Sequence, residues 1–348
     1  MDTTTSDSET APPLAFDGAA ASSPAAARGV AGVSHDPSRV LVVSNPRSHR
    51  NRQRGALPVP DGIVVEEPKT REELRDVLAR HARRGLDLVV IAGGDGTVRD
   101  VLSRGGDLWA DKGPDIAFLP RGKTNALALD VGMPDDWEVA DAIAAWRQDR
   151  VSPRSPIEIT GDDASSSGPV RGFLFGAGTF VDATDLAQGT HRMGAFNNLA
   201  VGLSMGLVMG KVLFGGNHTR WRTGYRMDIA FPAEARAVHG SLGEGEGNRF
   251  LAFVSTMENM PFGMTPFGPS RPGMKVLLID APPRRFATTA VKIARGHMGK
   301  DMERRGVFRI DTPAMSIDLD GGFVLDGERF DAGRYSLREG APIGFVRK

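Results

Sequence analysis

The sequence predicts an α/β fold in two domains, the first on a parallel sheet and the second mostly of β-strands. Three observations carry this. From Val40 to Arg147 apolar strand-like runs alternate with helix-like segments, the pattern of a parallel sheet. From about residue 151 the texture shifts to glycine, proline and short alternating runs. The 348 residues also give room for about two cores at roughly 150 residues each. With 40% apolar and 25% charged residues the composition is that of an ordinary globular protein.

The first 38 residues, rich in Ala, Ser, Thr and Pro and without periodicity, read as a disordered tail. Asp2, Asp7 and Glu9 stand where a secretory leader needs basic residues. Val40–Val43 form the first strand, broken at Asn45-Pro46. "TREELRDVLARHARRG" is a helix: Thr70 and Glu73 have capping-box spacing, Leu74, Val77 and Leu78 share one face, and Gly85 suits a helix terminus. "LDLVVI" reads as a strand buried on both faces, "VRDVLS" starts the next helix, "IAFLP" is another strand and "WEVADAIAAWR" a further helix. The expected division is residues 39–150 for the first domain and 151–330 for the second, with 331–348 returning to the first.

In the second half "RGFLFGAGTFVDA", "FLAFVSTMENM", "MKVLLIDAP" and "VFRIDTPAMSIDLDGGFVLDGERF" read as short strands and turns. "NLAVGLSMGLVMGKVLFGG" carries Gly202, Gly206 and Gly210 at G-x-x-x-G spacing, but its apolar run is shorter than the ~20 residues of a membrane span and is interrupted by Lys211. It reads as a helix packed into the second domain. Lys and Arg number 43, as do Asp and Glu, so net charge is +0 and any pull toward nucleic acid or membrane must be local. "RWRTGYR" and "VKIARGHMGKDMERR" are such local basic stretches, read either as solvated faces or as contacts for anionic lipid. The absence of Cys excludes disulfides, thiolate metal sites and cysteine nucleophiles.

The chemistry concentrates at "VVIAGGDGTVRDVLS". Gly93, Gly94 and Gly96 end a strand of a parallel sheet, where ligands bind. Glycines let backbone approach a ligand, and a following helix N-terminus offers amides to phosphate. A tight turn alone needs one or two glycines and leaves Asp95 unexplained. A carboxylate there fits a bound cation or a proton acceptor for an attacking hydroxyl. The dinucleotide pattern G-x-G-x-x-G does not match, and "AFLPRGKT" fails as a P-loop because Ala117 replaces the first glycine and the segment reads as strand. In "VLDGERF", Asp326 and Glu328 fit a hairpin turn as well as a site.

"NPRS", "GGDGT", "LPRGKTNALALDVGMP" and "LDGE", in that order, resemble the diacylglycerol kinase catalytic-domain family, which includes bacterial lipid kinases and sphingosine and ceramide kinases. The resemblance runs from about Val40 to the C-terminus. It implies a three-layer nucleotide-binding α/β domain with a parallel sheet, a β-rich lipid-binding domain, and an active site in the cleft between. It further implies that Asn45, Pro46, Arg47 and Ser48 bind nucleotide, that Gly93, Gly94, Gly96 and Thr97 cradle phosphates, and that Gly122, Lys123, Thr124 and Asn125 complete the pocket. Asp95, Asp326 and Glu328 would be catalytic, with Asp95 or the Asp326/Glu328 pair as base. Asp182 would meet the lipid headgroup, and the glycine- and methionine-rich helix would line or gate a pocket. His49, Lys123 and Ala126 depart from the family pattern, and Arg271 and Lys275 replace carboxylates that hold a structural magnesium in many members.

The function this implies is transfer of the γ-phosphoryl of ATP, with Mg2+, to the hydroxyl of a lipid alcohol, diacylglycerol or ceramide ahead of a sphingoid base. The lipid would be met at a membrane surface by a cytoplasmic, peripheral protein that binds no nucleic acid. An NAD kinase shares the glycine loop but has no need of "LDGE" or the glycine- and methionine-rich segment. A lipid-binding regulator without catalysis would account for Lys123 and Ala126.

Overall fold

The computed structural model describes residues 36–48, 50–54, 57–109, 113–122, 124–161, 168–192, 220–297, 299 and 301–348. The tail expected over 1–38 falls outside these as far as residue 35, while Asp36 already caps a 3-10 turn at Pro37–Arg39, so described structure begins ahead of Val40. His49, Lys123 and the apolar segment 198–216 also lie outside the described residues.

The first sheet takes strands β1 (Val40–Ser44), β2 (Val64–Glu66), β3 (Leu88–Gly93), β4 (Asp115–Pro120) and β5 (Val151–Arg154). Its order is β2-β1-β3-β4, then Ile343–Val346, then β5. All neighbours are parallel except the last pair. β1 and β3 are buried along their whole length, as expected of parallel strands.

Helices α1 (Asn51–Arg54), α2 (Arg71–Ala82), α3 (Asp95–Gly105), α4 (Ala126–Val131) and α5 (Val139–Arg147) fill the connections. Thr70 caps α2 through Glu73 N–H at 3.1 Å, but the Glu73 carboxylate accepts from Lys69 N–H, one residue before the cap. Leu74, Val77 and Leu78 are buried, and Gly85 takes a positive φ after the helix end.

The second sheet is antiparallel and twelve-stranded. Its spine is Gly245–Ser255, which pairs with Lys275–Asp280 on one side; on the other it pairs first with Tyr225–Ala230 and then with Leu174–Gly178. The latter carries the hairpin Phe323–Leu325/Glu328–Phe330. Phe323 stacks on Phe175 and Phe330 with ring centroids 4.9 and 4.8 Å apart in the core of this sheet. β5 belongs to the first sheet and Gly333–Glu339 to the second, so the chain changes sheets between 154 and 157 and again between 339 and 343. Residues 151–154 stay with the first sheet because the returning strand Ile343–Val346 gives them a partner.

Gly178 stops its strand. A Cβ there would lie 2.6 Å from the Phe250 carbonyl oxygen and φ is +75°, so the chain turns and α6 (Thr179–Arg192) begins. "TFVDA", expected to be strand and turn, is therefore helix. No described helix is long and apolar enough to cross a membrane.

Two buried clamps join the domains. Asp130, at the end of α4, accepts from Arg154 Nε at 2.9 Å and from the Glu258 and Asn259 amides at 3.0 and 2.7 Å. Arg171 reaches from the second sheet to Asp107 at 3.0 Å while also holding Glu158 at 2.7 Å.

Candidate active site

Gly93 ends β3 and Gly94 opens α3. A Cβ on Gly122 would stand 2.7 Å from the Gly94 Cα, and a Cβ on Gly94 3.1 Å from the Gly122 Cα. The two loops thus meet backbone to backbone, and glycine is required on both sides. The Thr97 amide bonds to the Gly94 carbonyl at 2.8 Å, while the Asp95 and Gly96 amides ahead of it have no intrahelical acceptor and form the kind of end that takes phosphate oxygens. Thr97 lies in that turn, and Asn45 Nδ2 donates to its hydroxyl at 3.1 Å.

The Asn45–Ser48 turn is tied locally: Asn45 Oδ1 accepts from Arg47 N–H and Ser48 N–H bonds back to the Asn45 carbonyl, each at 3.0 Å. Pro46 and Arg47 are exposed at its tip. Asn51 anchors the turn by donating to the Asn45 and Ala92 carbonyls at 2.9 and 3.1 Å. Asn125 sits in the left-handed region and closes the third loop, accepting from Gly122 N–H at 2.9 Å and donating to its carbonyl at 3.1 Å; Thr124 is exposed beside it. Asn45, Thr97, Gly122 and Asn125 thereby border one another at the C-terminal ends of β1, β3 and β4.

The Asp95 carboxylate turns toward α4 and accepts the Ala126 and Leu127 amides at 3.1 and 3.2 Å. At position 126 a backbone amide therefore meets the carboxylate. Burial pushes the Asp95 carboxyl up, opposed by those amides.

Asp326 comes from the other domain. It and Gly327 form a two-residue hairpin loop with φ of +46° and +82°. The turn is half-exposed, but the carboxylate folds inward and accepts from Phe173 N–H at 3.0 Å and Leu174 N–H at 2.9 Å. Burial, followed by the negative charge of Asp95, pushes its carboxyl up to about 7. The turn and the site are the same feature.

Glu328 behaves differently. Its carboxylate is ion-paired with both Arg71 and Arg99. Both arginines also hold Asp100, at 3.2 and 3.0 Å. Arg99, nearly buried, reaches the Leu325 carbonyl at 3.3 Å as well. Glu328 is neutralised by two guanidiniums, while Asp326 accepts only amides.

A cavity of about 530 Å3 opens here, lined by Gly96 and Arg99 from the first domain and by Thr184, Asp185, Val324, Asp326, Gly327, Glu328 and Arg329 from the second. Asp185 and Arg329 pair across it at 2.7 Å. Asp182 is not on this wall: one helical turn into α6, its carboxylate accepts the Tyr225 hydroxyl at 2.8 Å. The neighbouring Asp185, with Arg71, Arg99, Arg329 and Asn51, went unread in the sequence. Only Arg329 had a signal, its place beside "LDGE".

Residues 39–155 match the family model of the diacylglycerol kinase catalytic domain. The match covers about a third of the chain. A probable lipid kinase YegS-like from Cronobacter sakazakii (strain ATCC BAA-894) is 36% identical over 63 residues, spanning 18% of this chain and 21% of the relative. The chain thus matches about a fifth of that relative's length. Two solved structures from Bacillus anthracis str. Sterne, each a putative diacylglycerol kinase, cover 89% of this chain and 97% of their own at TM-scores of 0.61 and 0.60, with 14% identity. They share its two-domain fold. The family match holds the Asn45 turn, the Asp95 loop and Asn125; Asp326 and Glu328 lie outside it.

Proposed function

We propose that the protein is an ATP-dependent lipid kinase that transfers the γ-phosphoryl group to the hydroxyl of a neutral two-chain lipid, diacylglycerol or ceramide. The observation that carries this is Asp326, a carboxyl raised to about 7, set beside the Asp95 loop in a cavity shared by both domains. Near neutral pH such a group is divided between its two forms and can take a proton from an alcohol. As the lipid oxygen bonds to the γ-phosphorus, its proton passes to Asp326, the bond from the phosphorus to the bridging oxygen breaks, and ADP leaves.

The backbone contact between Gly94 and Gly122 leaves the α3 amides open to triphosphate oxygens, with Asn45, Ser48, Thr97 and Asn125 around the nucleotide. Among the described residues no three acidic or imidazole side chains converge as a metal cage. Magnesium would be held by the triphosphate oxygens, leaving the Asp326 carboxylate free to act as base, and would supply neutralisation of phosphate charge. Arg99 supplies fixed positive charge at the cavity wall, and Glu328 holds Arg99 in place.

A neutral headgroup fits better than a sphingoid amine. Asp185 and Glu328 are already paired with arginines, and Asp182 is taken by Tyr225, so the wall has little spare negative charge for a cation. The test incubates the protein with labelled ATP, magnesium and diacylglycerol, ceramide or sphingosine in mixed micelles. Labelled phosphatidic acid or ceramide phosphate, abolished in Asp326→Asn, is the expected result. Preference for sphingosine overturns the choice of lipid, NADP formed from NAD overturns the lipid reading, and nucleotide binding without turnover on any acceptor favours a regulator.

A further inference from the structure

A pronounced charge asymmetry lies outside the cavity. Residues 284–305 hold seven Lys and Arg side chains against two carboxylates, in a protein of net charge +0. Helix Phe286–Ala294 turns Thr289 and Ile293 inward. Its other side presents Ala287, Thr288 and Val291 to solvent, with Val291 49% exposed. The exposed Arg295, whose N–H bonds to the Val291 carbonyl at 3.2 Å, lies one turn after Val291, and the exposed Arg284 and Arg285 stand immediately before the helix. Arg284 donates to the Arg304 carbonyl at 2.8 Å, which sets the exposed Arg304 beside it.

Asp301 neutralises Lys292 and Arg305, at 3.3 and 2.7 Å. Glu303 turns away to the Ser241 amide at 3.0 Å. Arg284, Arg285, Arg295 and Arg304 have no carboxylate partner among the described residues. Four guanidiniums without a carboxylate partner thus flank the ends of the helix that exposes Val291.

We propose that this face docks the protein onto a bilayer rich in anionic phospholipid. Arginines at such a surface are drawn to anionic headgroups in a way that salt screens, while Val291 enters the headgroup layer. Nucleic acid would reward the charge but not the valine in its midst. The face also lies next to the cavity's support: Phe286 packs on Phe250 with centroids 5.1 Å apart, and the Phe250 carbonyl accepts from Thr179 at the start of α6, the helix that supplies Thr184 and Asp185 to the cavity wall.

The test is vesicle cosedimentation, which needs no turnover and so stands apart from the kinase proposal. The full chain is mixed with phosphatidylcholine vesicles, with and without 30 mol% phosphatidylglycerol, at about 50 and 500 mM salt. Expected is binding to the anionic vesicles only, lost at high salt. It should fall at least tenfold in the folded Arg285→Glu/Arg295→Glu/Arg304→Glu variant and severalfold in Val291→Ser. Equal binding to neutral vesicles, unchanged binding in the triple variant, or binding to duplex DNA with none to vesicles overturns the proposal.

Discussion

Asp95 and Asp326 reach one site from different domains, and the charge on Asp95 helps to hold the Asp326 carboxyl near neutrality. The first sets the protonation of the second without touching the reacting hydroxyl. Turnover should therefore rise with pH through about 7, the limb reporting Asp326. Asp95→Asn removes the negative charge, so whatever activity remains should show that limb displaced to lower pH. A pH–rate profile of both proteins checks this; an unmoved limb would assign it to another group.

The same raised carboxyl has a consequence for stability. Below the ordinary aspartate range Asp326 is protonated folded and unfolded alike and contributes no pH dependence. Between that range and about 7 the folded state holds a proton that the unfolded state has released, so stability falls as pH rises. Asp326→Asn removes this dependence. Its melting temperature should gain more on the wild type at pH 8 than at pH 5, read by paired thermal scans.

Gly122→Ala should be worse than Gly94→Ala, since its Cβ would stand 2.7 Å rather than 3.1 Å from opposing backbone. The expected losses are about 1–3 kcal/mol for the first, as in overpacked sites, and less for the second. Nucleotide affinity should weaken in both. Urea denaturation and nucleotide titration measure the two effects separately.

The arginines around Glu328 should differ. Arg99 has 6% of its side chain exposed and Arg71 43%. Arg99→Ala should cost about 3 kcal/mol, because it leaves carboxylates short of a buried partner. Arg71→Ala should cost under about 1 kcal/mol, as exposed pairs do. Equal losses in denaturant melts would contradict this reading of the network.

Asp130→Ala removes a fully buried carboxylate that Arg154 and the Glu258 and Asn259 amides share. A loss of about 3–5 kcal/mol is expected. Because the bonds cross between domains, denaturation should become less cooperative, with a smaller m-value or two separate transitions.

How far the sequence could be read depended on the range of the interactions. β1, β3, β4, α2 and α5 were legible because burial on both faces and helical periodicity act within a few residues. The glycine loop and the Asp326–Gly327 turn were legible because backbone conformation restricts what can stand there. The α6 boundary was hidden: Gly178 ends its strand through contact with Phe250, 72 positions later in the chain. Arg71, Arg99 and Glu328 were opaque as a group for the same reason. The family resemblance implies a headgroup role for Asp182, and the Tyr225 hydroxyl that its carboxylate accepts lies beyond the reach of any local pattern.

The strand Ile343–Val346, lying between β4 and β5, sets an order of assembly. During synthesis β1 to β5 leave the ribosome long before their sheet can close, and β4 keeps an unpaired edge until Ile343–Val346 emerges. A nascent chain halted anywhere in the second domain carries an unfinished first one. The half proposed to hold the nucleotide therefore cannot mature ahead of the half proposed to hold the lipid, and truncation ahead of Ile343 should damage the first sheet before the second.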